Sequence, residues 1–246
     1  MNVSEETAAK IQALLPNILN QNEDKEIEWL SRANNLVFKL KQSPNLVFKM
    51  ARPTRFGSKK LPSGGNEETH SRFKNMVKAK EVCIANKLGL LTIPHAKKMM
   101  VNAAGNEYAL IVEESLDFVS HDSAQEELYH KYSAEINESV RELATFIAKT
   151  GFNDVTWRNI PLLKDANESK SAKRIALIDL EHMNSAVNGF LGDWNGSKGL
   201  IACVSETQFD IVIEEARKHG VVIPDNEAED AKDRRLKYLA EEKKLR

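Results

Sequence analysis

The sequence predicts an α+β protein, with a short-stranded antiparallel sheet first and a mainly helical portion after it. Three β-like runs, residues 26–30, 36–40 and 46–50, follow one another across turn-rich links. Two more, 93–101 and 108–112, meet across residues 102–107, with Gly105 at the turn. After residue 132 the apolar residues recur at helical spacing, interrupted by one hairpin-like stretch at 151–181.

The elements follow in order. Ser4 with Glu5 and Glu6 is a helix start, a capping side chain followed by acids in the first turn. Ile11, Leu14, Leu15 and Ile18 give that helix one apolar stripe, suited to packing or to a protein partner. The second and third β runs share the string Asn-Leu-Val-Phe-Lys, too short for a repeat architecture, and place Lys39 and Lys49 at matching strand positions. Residues 52–66 hold Gly57, Gly64, Gly65, Pro53 and Pro62 and read as a solvated loop with a basic cluster. Phe73, Met76, Val77, Ile84 and Leu88 recur at helix spacing up to Gly89, a natural C-cap. Residues 118–132 read as a polar helical connector. Ile136, Val140, Leu143, Ala144 and Ile147 mark a stronger helix that ends at Gly151. Beyond Glu181, residues 183–195 look irregular, 199–204 form a short apolar helix or strand, and 206–219 are helical. Residues 226–246 are almost wholly charged and read as a solvated helix or frayed tail.

Composition excludes several classes. A formal net charge of -1 argues against general electrostatic binding to nucleic acid or acidic membranes. No apolar run approaches the length of a membrane span. The polar, acidic N-terminus is unlike a signal peptide. Cys83 and Cys203 lie far apart, fit no metal spacing and read as reduced, buried thiols. The expectation is a cytoplasmic protein, and export as a bacterial effector leaves the same signature. The terminal helices are the candidates for contact with a protein partner.

Residues 151–181 carry the chemistry. Two apolar runs flank a polar insert, with Asp154 before the first, Asn159 five positions later and Asp179 closing the second. A carboxylate that accepts a hydroxyl proton, with an amide oxygen and a second carboxylate for Mg²⁺, is the donor set phosphoryl transfer from a metal nucleotide requires. Taken singly, each residue is equally well a turn, cap or strand-end residue. Their joint order is the signal.

The loop Asp154-Val-Thr-Trp-Arg-Asn159 and the segment Asp179-Leu-Glu181 resemble the catalytic loop, Asp-x-x-x-x-Asn, and the metal segment, Asp-x-Asp/Glu, of the protein-kinase-like superfamily. The resemblance covers residues 26–181. It implies a two-lobed fold, with an antiparallel N-lobe sheet bearing one main helix and a compact, mainly helical C-lobe. The implied division is an N-terminal helix at 1–25, N-lobe and hinge at 26–117, C-lobe at 118–225 and a charged helix or tail at 226–246. It implies ATP and Mg²⁺ as cofactors. Asp154 is then the catalytic acid-base group, with Arg158 supplying positive charge beside it. Asn159, Asp179 and Glu181 are the implied metal ligands. Lys49, paired with Glu81, meets the nucleotide phosphates, and Lys39 is the competing lysine. Ile111 lines the adenine pocket and Glu113 opens the hinge.

The chain also departs from the family pattern. The link 31–35 has no glycine, so Ser31 and Arg32 are left to assist the phosphates. Asn153 stands where many members carry arginine, and Thr156 where many carry lysine or histidine. No Ala-Pro-Glu segment follows. The expected activity is transfer of a γ-phosphate to a hydroxyl of a small molecule or an atypical protein substrate. The alternatives are a pseudokinase that binds nucleotide or scaffolds, and a nucleotidyl transferase using the same pocket.

Overall fold

The computed structural model describes residues 3–33, 35–52, 54–56, 59–119, 122–164, 173–192 and 198–245. The first elements are α1 (Glu5–Asn20), β1 (Ile27–Ser31), β2 (Asn35–Leu40), β3 (Ser43–Ala51), β4 (Thr54–Phe56) and β5 (Lys59–Leu61). Helix α2 (Pro62–Ala85) is followed by β6 (Leu91–Thr92), β7 (Ala96–Ala103) and β8 (Asn106–Glu114). Then come α3 (Asp122–Lys131), α4 (Asn137–Thr150), β9 (Ile175–Ala176), α5 (Ala186–Leu191), α6 (Leu200–Cys203), α7 (Phe209–Lys218) and α8 (Asp225–Leu245). The chain divides into two compact units, Met1–Val77 with Pro94–Leu116, and Lys78–Ile93 with Asp117–Arg246. The architecture is α+β, an antiparallel five-stranded sheet in the first unit and a mainly helical second unit, as the resemblance implied.

In the first unit the strand order is β1-β2-β3-β8-β7. Side chains alternate across a strand, so each strand sorts its residues onto two faces. Leu36, Phe38, Leu40, Phe48, Met50, Tyr108, Leu110 and Val112 point to one face, where Ile11, Leu14, Leu15, Ile18 and Leu19 of α1 cover them. Phe38 stacks on Phe48 with ring centroids 5.4 Å apart. The sheet therefore consumes the apolar stripe of α1, which settles its role as packing. Ser4 caps that helix by accepting the Thr7 N–H at 3.1 Å.

The other face carries Lys49. Val37 lies opposite Lys49, and Lys49 opposite Ile111. Residues directly opposite share a face, so Lys49 stands between two aliphatic neighbours. On α2, Asn66 donates to the Glu107 carbonyl at 2.9 Å and accepts the Ala109 N–H at 2.6 Å. These groups of β8 lie beyond the stretch that β3 pairs, and the amide completes the ladder there.

Within residues 52–66, expected as a loop, Thr54–Phe56 pairs antiparallel with Lys59–Leu61 and α2 begins at Pro62; residues 53, 57 and 58 lie outside the described residues. A helix tolerates Pro62 at its first position, where the missing N–H has no intrahelical partner. The unit division also differs from the expected 26–117 block. Residues 78–93 belong with the second unit, because β6 pairs in parallel with β9 and Glu142 accepts the Leu90 N–H at 2.7 Å.

The second unit is built on α4, whose Val140, Leu143, Ala144, Phe146 and Ile147 are fully buried. Gly151 ends it in a left-handed conformation, φ 73°. The charged C-terminal stretch is not a frayed tail. It is helix α8, with Ala228, Ala231 and Arg235 buried. No helix among the described residues is long and apolar enough to cross a membrane.

Candidate functional site

A small ladder sets the site in the second unit. The segment 174–178 runs between β6 and residues 159–163. On one side the Leu177 N–H donates to the Thr92 carbonyl at 2.9 Å. On the other, the Ala176 N–H donates to the Pro161 carbonyl at 2.9 Å and the Ile178 N–H to the Asn159 carbonyl at 3.2 Å. The two apolar runs are thus paired antiparallel, as a hairpin should be; its tip, 165–172, lies outside the described residues. This register sets Asn159 beside Ile178, one residue before Asp179.

Helix α3 braces the loop from beneath. The Tyr129 hydroxyl donates to the Ile160 carbonyl, and Gln125 accepts the Leu162 N–H at 3.0 Å. Both side chains are buried, and burial holds the Tyr129 hydroxyl well above its ordinary pKa. The stretch expected as a polar connector therefore turns Tyr129 and Gln125 onto the residues that follow Asp154 and Asn159.

Asn159 is buried and its amide nitrogen donates twice to Asp154, to the carbonyl at 2.8 Å and to Oδ2 at 2.9 Å. An amide that spends its NH₂ on a carboxylate keeps its oxygen for an acceptor role. Asp179 and Glu181 are half-buried, and Glu181 lies 3.9 Å from His182 Nε2. Asn159, Asp179 and Glu181 offer hard oxygen donors, the chemistry Mg²⁺ takes. Among the described residues, no three His, Cys, Asp or Glu side chains converge on one point. A set of one amide and one or two carboxylates draws its remaining ligands from phosphate oxygens and water.

The cation on Asp154 comes from far along the chain. Lys198 Nζ lies 2.6 Å from Asp154 Oδ1, whereas Arg158, expected in that place, is exposed. The backbone of Lys198 is held at its carbonyl side. The Gly199 N–H donates to the Val155 carbonyl at 2.9 Å, and the Lys198–Gly199 backbone crosses Gly192 so closely that a Cβ on Gly192 would overlap the Lys198 carbonyl. Gly192 and Gly199 have φ of 80° and 97°, the region glycine favours. Trp157 extends this contact by donating Nε1–H to the Cys203 carbonyl at 2.9 Å. Sequence reasoning missed Lys198 because it lies 44 residues beyond Asp154, in a stretch without pattern. The glycines at 192 and 199 were the signal of a close backbone crossing.

Asn153, Asp154, His182, Asn188, Gly192 and Lys198 line a pocket of about 190 Å³. Its described walls carry amide, carboxylate, imidazole and ammonium groups.

In the first unit the expected residues fall differently. Lys49 Nζ forms an ion pair with Glu113 Oε2 at 2.9 Å, with the Glu113 side chain only 4% exposed. Glu113 lies within β8, opposite Val47 and Ala96, one residue before the strand ends. Glu81, the expected partner of Lys49, is exposed on α2, off the buried stripe of Thr69, Arg72, Met76 and Ala79. Ile111 is buried beside Lys49. Ser31 Oγ accepts the Ala33 N–H at 3.3 Å, and Arg32 pairs with Glu23 and stacks over Trp29 at 4.8 Å, so both serve the local turn. Lys39 donates to Ser115 Oγ at 2.8 Å.

No protein-family model and no curated protein sequence matches the chain. Several solved structures do, at low identity. The Rio2 kinase–ADP/Mg²⁺–phosphoaspartate complex from Chaetomium thermophilum is 16% identical over 93% of this chain, with a TM-score of 0.39, and this chain spans 65% of that one. WaaP in complex with acyl carrier protein is 9% identical over 91% of this chain and 86% of its own, with a TM-score of 0.42. The microcompartment-associated aminopropanol kinase is 9% identical over 93% of this chain and 94% of its own, with a TM-score of 0.39.

Proposed function

We propose that this protein is a phosphotransferase that moves the γ-phosphate of Mg²⁺-bound ATP to a hydroxyl. The carrying observation is the locked Asp154–Asn159 pair, tied through the Asn159 carbonyl to the residue before Asp179. Asp154 takes the acceptor proton while the acceptor oxygen bonds to the γ-phosphorus. The bond from that phosphorus to the β–γ bridging oxygen breaks, and ADP leaves with the electron pair. Asn159, Asp179 and Glu181 are the residues that would hold Mg²⁺, which when bound neutralises phosphate charge. Lys49, held by Glu113, is assigned to phosphate charge as well.

The pocket beside Asp154 favours a small, polar acceptor. Its volume of about 190 Å³ is below the roughly 300–1,000 Å³ typical of drug-sized ligands, and its described lining is rich in hydrogen-bonding groups. A second reading, a nucleotide-binding module without turnover, draws on Ser31 and Arg32, which are committed to their own turn.

The test is MgATP binding and ADP release by the wild type, Asp154→Asn and Asp179→Ala. The wild type is expected to bind and turn over. Asp179→Ala should lose metal-dependent binding, and Asp154→Asn should bind normally while turnover falls by about 100-fold or more. Binding without turnover across a panel of polar hydroxyl compounds would favour the second reading. Absence of nucleotide binding would sink both.

A further inference from the structure

We propose that Lys198 is a catalytic residue that gives its ammonium to the transferring phosphoryl group when an acceptor hydroxyl takes its place on Asp154. This inference rests on the phosphotransferase reading above.

Asp154 has its two oxygens on different partners. Oδ2 is held by the buried amide of Asn159, and Oδ1 by Lys198. Lys198 and Asp154 together line the pocket, so the accessible approach for a hydroxyl is the Lys198 side of the carboxylate. The hydroxyl must meet a carboxylate oxygen to give up its proton, and it competes there with the ammonium.

Lys198 is suited to yield. Its side chain is 45% exposed, and an ion pair that open to water is weak. Its backbone is anchored at the peptide that follows it, by the Gly199–Val155 hydrogen bond and the close crossing of Gly192. The ammonium therefore swings on a four-carbon stem from a fixed anchor, and its range stays within the site. The phosphorus under attack lies against the acceptor oxygen, so the displaced ammonium stands next to the phosphoryl oxygens on which charge is spread. In the balanced step, the acceptor proton goes to Asp154 Oδ1, the γ-phosphoryl group passes from ATP to the acceptor oxygen, and ADP leaves with the electron pair of the broken bond. Lys198 keeps all its protons and acts as a charge. The loop itself offers Thr156 where such a charge is wanted, and Arg158 is exposed.

The experiment compares binding of MgADP alone with MgADP plus aluminium fluoride, a planar mimic of the phosphoryl group in flight. It uses the full chain as wild type, Lys198→Met and Lys198→Arg. Wild type should bind the fluoride complex more tightly than MgADP. Lys198→Met should keep wild-type affinity for MgADP and lose about tenfold for the fluoride complex, less than an enclosed donor because Lys198 is half open to water. Lys198→Arg, which keeps the charge, should recover part of the loss. A merely structural lysine would weaken both ligands together, and that result overturns the proposal. So does a Lys198→Met protein that binds the fluoride complex as wild type does, or a wild type that gains nothing from aluminium fluoride. If the wild type fails to bind MgADP at all, the phosphotransferase reading falls, and with it this one.

Discussion

At the scale of the residue, the protein holds its charges by close pairing. Glu113 and Lys49 form an ion pair with both side chains largely out of water. Removing one charge of such a pair costs more than the pair contributes, because the other charge keeps its desolvation penalty. Glu113→Gln should lower stability by about 3 kcal/mol in urea titration, with the midpoint shifted and the slope unchanged. For the thiols, burial is the largest influence. Burial pushes the Cys203 thiol up to about 12 and, with Glu142 nearby, that of Cys83 up to about 11. Thiolate is the reactive form, so at pH 8 both remain protonated. Labelling of the folded protein by a maleimide at pH 8 should be slow beside that of a free thiol. It should rise with pH at half-buried Cys83 before it does at Cys203, which reacts only on unfolding.

Among the elements, α8 departs most from its sequence. A run this charged has no apolar stripe wide enough to dock by itself, yet its first half is packed. Arg235 is 3% exposed, pairs with Glu126 of α3 at 3.0 Å and stacks over Trp157 and Tyr238. His130 Nε2 also lies 3.0 Å from its guanidinium. The loop that bears Asp154 is thus held through Trp157 by a C-terminal helix, and through Ile160 and Leu162 by α3. Arg235→Met keeps the length of the side chain and discards the charge. It should cost about 3 kcal/mol, the scale of a broken buried ion pair, and shift the emission of Trp157 in a Trp29→Phe, Trp194→Phe background. Unchanged stability and emission would show that α8 is a passenger.

At the scale of the whole molecule, the first unit is a sheet with one face sealed by α1 and the other carrying Lys49. In the second unit the candidate site gathers around Asp154. The nearly balanced charge, net -1, means that specificity rests with individual pairs and not with the field of the protein. Legibility followed the range of the signal. The β runs and α4 were readable because period-2 and period-3.6 apolar patterns are local. Asp154 and Asn159 were readable because five positions of one loop hold them together. Glu81 was misplaced because helical spacing gives a helix without its rotation, and the rotation puts Thr69, Arg72, Met76 and Ala79 inward and leaves Glu81 exposed. The strand expected to end at residue 112 runs on to Glu114, because its end is set by pairing with a segment that includes Val47, 66 residues before Glu113.

The sequence by itself determined the order of strands and helices, the core stripe of α1, and the carboxylate–amide loop of the candidate site. These follow from spacing within a few residues of one another. Tertiary structure alone decided which charges meet: Lys49 with Glu113, Lys198 with Asp154, Arg235 with Glu126. A charged side chain has no periodicity to reveal its partner. Its partner is whichever opposite charge the packed backbone brings within about 3–4 Å, where Coulomb attraction offsets the loss of water.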